Sequence, residues 1–294
     1  MRALVAGLVN LETTVPVEGF PLRYQAVHFN TGIAGAPSGV GWNVALALHT
    51  LGTEVRLLAL LGDDAAGRVV RERVAASGIP ADFPPTAETP QSVVLYDPAG
   101  RRRAETDLKG LQEARFPPDR FDAALASCDL AVMANINWTR PLLTRARAAG
   151  VPIATDLHEV RSPDDPYDAD YLARADVVFL SGEQLPVAPE AFAARLRQRA
   201  DPAIIGIGLG ARGALVAPRG ASPTLVPAAR PRPLRSTLGA GDALFAAFLH
   251  FRARYADPVE AMRRAVTFAG WKVGDASGSG GFLTEEQVEA LCTG

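Results

Sequence analysis

Short apolar segments alternate with longer amphipathic segments along most of this chain, and this alternation constrains the fold more than any other feature. Strand-like segments include RALVAGL (2–8), LAVMANI (130–136) and ADVVFLSG (175–182). The helix-like segments VGWNVALALHTLG (40–52) and AAGRVVRERVAASG (65–78) each end in a glycine, as helices often do. The alternation indicates βαβ crossovers and a mostly parallel sheet with helices on both faces. We therefore predict an α/β fold that binds ligands at the carboxyl ends of its strands.

Residues 11–30 and 91–107 interrupt the alternation, and both have the pattern of β-hairpins. The second contains an Asp-Pro-Ala-Gly turn at 97–100. Together they could form a small sheet that acts as a lid over a ligand; the alternative is two separate surface hairpins. We predict an α/β core of residues 1–9, 32–90 and 108–294 and a β lid of residues 10–31 and 91–107.

The composition is that of a globular protein with a sizeable core. The 294 residues are 48% hydrophobic and carry a formal net charge of −2, so no basic field favours nucleic acid. The apolar start of the chain is interrupted by Glu12 and is interpreted as a first strand rather than a signal peptide. No stretch has 18 uninterrupted apolar residues, and Cys128 and Cys292 form no C-x-x-C pair. We expect a soluble, cytoplasmic protein without nucleic-acid or membrane partners.

The segment RSTLGAGDALFAAFLHF (235–251) changes from a polar, glycine-containing loop to an apolar helical pattern. The loop therefore becomes a helix N-terminus, where unpaired N–H groups and about half a positive charge attract anions. The bare backbone of Gly239, Ala240 and Gly241 suits a phosphate or a developing anionic oxygen. Asp242 in the first turn either stabilises the helix dipole, by about 0.3–1 kcal/mol, or is a general base beside this anion hole. Its place directly after Gly-Ala-Gly favours the general base.

The segment GLGARG (208–213) matches the dinucleotide-binding pattern G-x-G-x-x-G but lacks its context. A dehydrogenase needs a helix next and an acidic residue about 20 positions further on. Here the strand-like ALVAP follows, and no acidic residue occurs between Arg212 and Ser236. We predict a tight turn between two strands, which could still pass close to a nucleotide. The chain also has no G-x-x-x-x-G-K-[ST], so any ATP site is not a P-loop.

Five motifs in order resemble the ribokinase-like (PfkB) family of carbohydrate and nucleoside kinases over nearly the whole chain. They are GLVNLE (7–12), SGVGWNVALALHTLG (38–52), LLGDDAAGRVV (60–70), GLGARGALV (208–216) and TLGAGDA (237–243). The resemblance implies a ribokinase-like three-layer fold, with a mostly parallel central sheet covered by helices and a small β-sheet lid. It also implies phosphoryl transfer from ATP, with Mg²⁺ held largely by phosphates and water rather than by a protein metal site.

The resemblance assigns roles to particular residues of this chain. Asp242 is the base, and the backbone of Gly239, Ala240 and Gly241 is the anion hole. The substrate-binding residues are Asn43, Gly39, Glu12 and Asn10. The residues on the nucleotide side are Gly208, Gly210, Gly213 and Thr237. Asn43 can both donate and accept hydrogen bonds, which suits a vicinal diol.

The chain departs from the family pattern mainly on the ATP side. Ser236 replaces an aspartate that helps to hold an activating monovalent cation, so the resemblance does not extend to potassium dependence. Ser181 and Gln184 replace both named positions of the Asn-x-x-Glu segment that organises magnesium-bound water, and Gly208 replaces a threonine. Glu12 replaces an aspartate on the substrate side, which warns against assuming ribose.

We predict an ATP-dependent phosphotransferase that phosphorylates a primary hydroxyl of a sugar or nucleoside and forms a homodimer through the lid. The alternative is a catalytically weak homologue that binds a sugar or nucleoside as a sensor or interaction protein. Two features stay open: Trp42 is either core or stacks on the ligand, and the arginines at 101–103 are either a solvated face or contacts for a phosphorylated substrate.

Overall fold

In the computed structural model, residues 1–293 are described, and strands and helices alternate as the sequence predicts. The strands are β1 (Arg2–Ala6), β2 (Asn10–Pro16), β3 (Ala34–Ser38), β4 (Glu54–Leu58), β5 (Leu61–Gly62), β6 (Ala81–Asp82), β7 (Pro85–Thr86), β8 (Gln91–Tyr96), β9 (Arg102–Asp107), β10 (Leu130–Met133), β11 (Ile153–Glu159), β12 (Val177–Ser181), β13 (Ile204–Gly208), β14 (Ala214–Pro218) and β15 (Thr224–Val226). The helices are α1 (Val40–Thr50), α2 (Ala65–Ser77), α3 (Pro118–Leu125), α4 (Arg140–Ala148), α5 (Ala169–Leu172), α6 (Pro189–Arg199), α7 (Ala240–Arg252), α8 (Pro258–Lys272) and α9 (Glu285–Thr293).

Nine of the described strands form the central sheet, in the order β15–β14–β13–β12–β11–β10–β1–β4–β6. Every pair from β6 across to β13 is parallel, whereas β14 pairs antiparallel with both β13 and β15. The mostly parallel sheet predicted from the alternation is confirmed.

Helices cover both faces of this sheet, which makes three layers. Side chains alternate along β1, so Ala3 and Val5 pack with residues of α1, α7 and α8, while Leu4 and Ala6 pack with residues of α3, α4 and α6. Trp42 belongs to the first of these clusters and is only 4% exposed. Of the two roles that the sequence left open for Trp42, the structure supports the core.

Glycines lie at the C-terminal ends of α1 and α2, as the sequence predicts. Gly52 and Gly78 have positive φ values of 90° and 77°; Gly78 directly follows α2, and Gly52 follows α1 after the cap residue Leu51. At the other end of α2, Asp64 accepts a hydrogen bond from Gly67 N at 2.7 Å and another from Thr89 N at 2.8 Å. Asp64 therefore caps α2 and attaches it to the segment that leads into β8.

A second, four-stranded sheet has the order β3–β2–β8–β9. The hairpin at 91–107 is present as β8 and β9, which pair antiparallel. The prediction of a hairpin within 11–30 is wrong in its second strand, because β2 pairs antiparallel with β3 at Ala34–Ser38. Residues 17–33 form no strand. This segment contains Gly19, Pro21 and Gly32, and its side chains Tyr24 and Phe29 are almost fully exposed. The predicted division into a core and a lid stays a prediction.

The turn at 208–213 lies between antiparallel strands, β13 and β14, as predicted. Leu209 N donates to Gly213 O at 2.8 Å and closes the turn. In the described part of the chain, no helix is both long enough and apolar enough to cross a membrane.

Candidate active site

The Gly-Ala-Gly turn forms the N-terminus of α7, as the sequence predicts. Gly239 caps the helix with φ of 72°, and a Cβ at this position would lie 2.1 Å from Gly278 O, so only glycine fits. Gly241 is exposed and open, since its Cβ would meet only Asp156 Oδ2, at 4.0 Å. The first N–H groups of α7 therefore face space that an anion can enter.

Asp242 lies in the first turn of α7 and accepts a hydrogen bond from Asn43 Nδ2 at 2.7 Å. Burial raises the pKa of Asp242, and the nearby carboxylate of Asp156 raises it further, while Asn43, His158 and Arg102 act in the opposite direction. A carboxylate with a raised pKa is a stronger proton acceptor than an exposed aspartate. The geometry thus places a carboxylate in the first turn of a helix whose N-terminus is open at Gly241.

The predicted substrate-side residues lie together beside Asp242. Gly39 has φ of 92°, and its Cβ would lie 2.6 Å from Leu8 O and 3.2 Å from Asn10 Oδ1. Asn10 donates through Nδ2 to Ser92 Oγ at 2.5 Å. Within residues 1–293, the buried Oδ1 atoms of Asn10 and Asn43 have no hydrogen-bond partner. Two buried acceptors without donors fit a ligand that carries hydroxyl groups.

Glu12 lies on β2, only 7% exposed, opposite Ala36 of β3. Burial raises its pKa, and the carboxylate of Asp242 raises it further, whereas Ser38, Arg102 and Lys272 favour the ionised form. Glu12 follows Asn10 by two positions on β2, so the two side chains lie on the same face of this strand.

The predicted nucleotide-side residues lie along the other flank of α7. Gly208 ends β13, and its Cβ would be 3.4 Å from Leu244 Cδ2, in the second turn of α7. Gly210 and Gly213 have positive φ values of 57° and 100°, so the turn presents backbone rather than side chains. Thr237 precedes the anion-hole turn and donates through Oγ1 to Gly100 O at 3.3 Å.

Two basic residues lie near the site, of which the sequence analysis considered Arg102 and missed Lys272. Arg102, interpreted above as part of a solvated face or a substrate contact, donates through Nη1 to Thr237 O at 2.8 Å and so connects β9 to the anion-hole turn. Lys272, at the end of α8, is fully buried. The run of three arginines was a visible signal for the first residue, whereas no sequence signal marked the second.

Two further residues at the end of β11 lie close to Asp242. Asp156 is 6% exposed and accepts a hydrogen bond from His158 N at 3.0 Å. His158 adopts φ of 60°, a conformation that costs energy for a residue with a Cβ. Strain of this kind is typical of a segment whose direction is fixed by a site.

Two residues that depart from the family pattern on the ATP side, Ser236 and Ser181, form local hydrogen bonds in the structure. Ser236 is 1% exposed, and its Oγ accepts a hydrogen bond from Leu238 N at 3.2 Å. Ser181 Oγ accepts one from Glu183 N at 3.2 Å, and Glu183 is exposed. Among residues 1–293, no group of three or more His, Cys, Asp or Glu side chains is arranged to hold a metal ion.

Comparison with known proteins identifies relatives over almost the whole chain. Residues 2–284 match the family model described as pfkB family carbohydrate kinase. The chain is 32% identical over 275 residues to acarbose 7(IV)-phosphotransferase from Actinoplanes sp. (strain ATCC 31044 / CBS 674.73 / SE50/110), covering 91% of this chain and 90% of that protein.

Solved structures give the same result. A microbiome-derived acarbose kinase, Mak1, superposes with a TM-score of 0.92 at 28% identity, over 100% of this chain and 99% of that chain. The ribokinase of Giardia lamblia superposes with a TM-score of 0.83 at 16% identity, over 99% and 98% of the two chains. The second likeness bears on the fold alone. Together they confirm the ribokinase-like fold expected from the five motifs.

Proposed function

The chain belongs to the pfkB family of carbohydrate kinases and is a phosphotransferase with an alcohol group as acceptor, and from this premise we propose its reaction in detail. The enzyme transfers the γ-phosphoryl group of ATP to a primary hydroxyl of a sugar or nucleoside. The observation that carries the proposal is Asp242, held by Asn43 at 2.7 Å in the first turn of α7, directly beside the open backbone of Gly241.

Asp242 acts first on the acceptor. As the hydroxyl oxygen attacks the γ-phosphorus, its proton passes to the Asp242 carboxylate, and the bond between the phosphorus and the leaving oxygen of ADP breaks. A positioned base typically contributes about 10²–10⁴-fold to the rate. The hydrogen bond from Asn43 fixes the carboxylate while leaving its second oxygen for the hydroxyl.

The N–H groups of Gly239, Ala240 and Gly241 stabilise the charge that develops on the transferred group. They are fixed before ATP binds, because the helix that presents them is buried from Ala243 to Phe251. The nucleotide side would be formed by the backbone of Gly208, Gly210 and Gly213, together with Thr237, which precedes the anion-hole turn. Mg²⁺ supplies charge neutralisation at the phosphates when it is bound.

The substrate is held on the opposite side by Asn10, Gly39, Asn43 and Glu12. The free Oδ1 atoms of Asn10 and Asn43 accept hydrogen bonds from hydroxyl groups, and a Glu12 carboxylate accepts further ones. These acceptors suit a polyol, so we propose a carbohydrate rather than a nucleoside. Because two relatives are named for acarbose, that oligosaccharide is the first candidate.

The experiment is an ADP-release assay with ATP and Mg²⁺ against acarbose, pentoses, hexoses and nucleosides, with mass spectrometry of the product. We expect turnover of a carbohydrate and a mass gain of one phosphoryl group. The departures at Ser181, Gln184, Gly208 and Ser236 favour the second candidate, a weak homologue that only binds the ligand. Thermal stabilisation by one sugar, without ADP release above background, would support that candidate and reject the kinase reaction.

A further inference from the structure

Lys272 is a buried ammonium group that the proposed reaction does not use. It is the last residue of α8, it is 0% exposed, and its Nζ donates to the backbone carbonyl of Ser277 at 2.5 Å. Burying a charged group on a carbonyl acceptor, without a carboxylate as the hydrogen-bond partner, is energetically costly. The surroundings of Lys272 give two reasons for a charged side chain at this buried position.

The first reason is the loop that Lys272 holds, residues 274–281. Asp275 Oδ1 accepts hydrogen bonds from both N and Oγ of Ser277, each at 2.9 Å, and Lys272 fixes the carbonyl of the same residue. Ser279 Oγ donates to Pro37 O of β3 at 3.0 Å. The loop therefore joins the end of α8 to the small sheet.

The residue next to Ser277 forms part of the active-site wall. A Cβ on Gly278 would lie 2.9 Å from Ser38 Oγ and 3.2 Å from Asn43 Nδ2, the atom that donates to Asp242. The carbonyl of Gly278 lies against Gly239, at 2.1 Å from where a Cβ would be. Moving this loop would therefore move both the anion-hole turn and the amide that orients the base.

The segment before the anion hole is attached to the same end of α8. Val273 O, one residue after Lys272, accepts hydrogen bonds from Arg235 N at 2.7 Å and from Ser236 N at 3.0 Å. The end of α8 thus supports the anion-hole turn from two directions, through its own backbone and through the 274–281 loop.

The second reason is electrostatic. The ammonium favours the ionised forms of Asp275, Asp242 and Glu12, and burial, aided by Arg232, lowers the pKa of Lys272 to about 8. With a pKa of about 8, Lys272 is mostly protonated at pH 7 and adds a positive charge near two carboxylates whose ionised forms burial disfavours.

We propose that Lys272 is a positioning residue: its ammonium holds the 274–281 loop against Gly239 and Asn43 and so fixes the anion-hole turn and the amide that orients Asp242. The kinetic consequence of this role rests on the proposed function. The structural consequence does not, since it concerns the protein without ligands.

The test replaces Lys272 by methionine, which has similar length and no charge. Lys109→Met is the matched control, because Lys109 is the chain's other lysine and pairs with Asp107 on the surface. Hydrogen–deuterium exchange of peptides covering 235–241 and 274–281 is measured without ligands, together with thermal unfolding, kcat, KM and the pH–rate profile. We expect faster exchange in both segments of Lys272→Met only, with an unfolding midpoint no lower than that of the wild type at pH 7.

In kinetics we expect Lys272→Met to lower kcat by about a hundredfold, the cost typical of misplaced catalytic groups, with KM changed far less. The acidic limb of the pH–rate profile should move to higher pH, because Asp242 loses a neighbouring cation. Unchanged exchange together with an unchanged kcat would overturn the proposal. If the wild type turns over no substrate, the proposed function fails, and the exchange measurement still decides on Lys272.

If the methionine variant does not fold, Lys272→Ala is compared in the presence of n-propylammonium and of n-propanol at equal concentration. Both molecules fit the space that the lysine side chain leaves, but only one carries the charge. Protection of residues 274–281 that is restored by the ammonium and not by the alcohol supports the proposal. Equal effects of the two, or no effect of either, would overturn it.

Discussion

At the scale of single residues, Asp242 meets two opposing demands. A general base must be ionised, yet burial raises the pKa of Asp242 and so disfavours the ionised form. The hydrogen bond from Asn43 and the nearby positive groups offset this cost without removing it. In the proposed reaction the folded protein retains a charge that burial disfavours because the base must be ionised, a conflict that is typical of functional sites.

The first prediction concerns Asp242→Asn. A carboxylate whose pKa is raised in the folded state costs stability above that pKa, so the neutral amide should raise the unfolding midpoint at pH 7. The gain should shrink as the pH falls through the folded-state pKa, because the wild-type carboxyl then becomes neutral too. Thermal unfolding of both proteins between pH 4 and about pH 8 measures this. A lower midpoint for the variant at pH 7 would contradict the burial of charge at this position.

At the scale of secondary-structure elements, the N-terminus of α7 forms the proposed anion hole. Its two glycines are small for different reasons. Gly239 is required by its positive φ and by the carbonyl of Gly278, whereas Gly241 faces open space. The fold therefore requires glycine at position 239, whereas at position 241 it does not, which fits the proposed ligand contact of Gly241.

The second prediction follows from this difference. Gly239→Ala should destabilise the protein by at least about 1 kcal/mol, because a Cβ is strained at this φ and collides with Gly278. Gly241→Ala should leave stability equal or slightly higher, since alanine favours helix, but should lower kcat by about tenfold or more by filling the anion hole. Chemical denaturation and ADP-release kinetics separate the two effects. Equal loss of stability in both variants would refute the assignment of Gly241 to the ligand.

The third prediction concerns the contact between β9 and the anion-hole turn. Arg102→Ala removes the hydrogen bond to Thr237 O and should lower kcat/KM by about tenfold, the size typical of a hydrogen bond from a charged group. Stability should hardly change, because the contact is exposed. Arg103→Ala is the control, since Arg103 pairs with Glu105 on the surface. If the two variants have the same kinetics, β9 has no part in the reaction.

Local patterns predicted those elements whose cause is local. The helix start at Gly239, the glycine stops of α1 and α2 and the turn at 208–213 all follow from residue type and spacing. The partner of β2 was misplaced because β3 lies beyond a long irregular segment, and strand pairing depends on distant residues. The contact of Arg102 with Thr237 spans 135 positions for the same reason, and nothing in the helical pattern of α8 shows that Lys272 points inward.

At the scale of the whole molecule, the four-stranded sheet is separate from the central sheet. Its outer strands are β3 and β9, and the segment between β2 and β3 exposes Tyr24 and Phe29, at 95% and 94%. Open strand edges and exposed aromatic side chains favour association with another surface. The homodimer through the lid stays a prediction that rests on these features.

The fourth prediction tests that association. Sedimentation equilibrium should give a dimer for the wild type and a monomer for the double variant Tyr24→Ser, Phe29→Ser, because the substitutions remove apolar area from the exposed segment. Circular dichroism should be unchanged, since neither side chain packs in the core. A wild type that sediments as a monomer at high micromolar concentration would reject the dimer.

The proposed role of Asp242 as the base is tested most directly by the rate of ADP formation by Asp242→Asn with ATP, Mg²⁺ and the best acceptor. Asp201→Asn, which alters a surface ion pair with Arg197, is the control. We expect Asp242→Asn to lose at least about a hundredfold in kcat while it stays folded and still binds the acceptor. The control should lose none. A folded Asp242→Asn protein with a rate within a few-fold of the wild type would contradict Asp242 as the base and with it the mechanism proposed here.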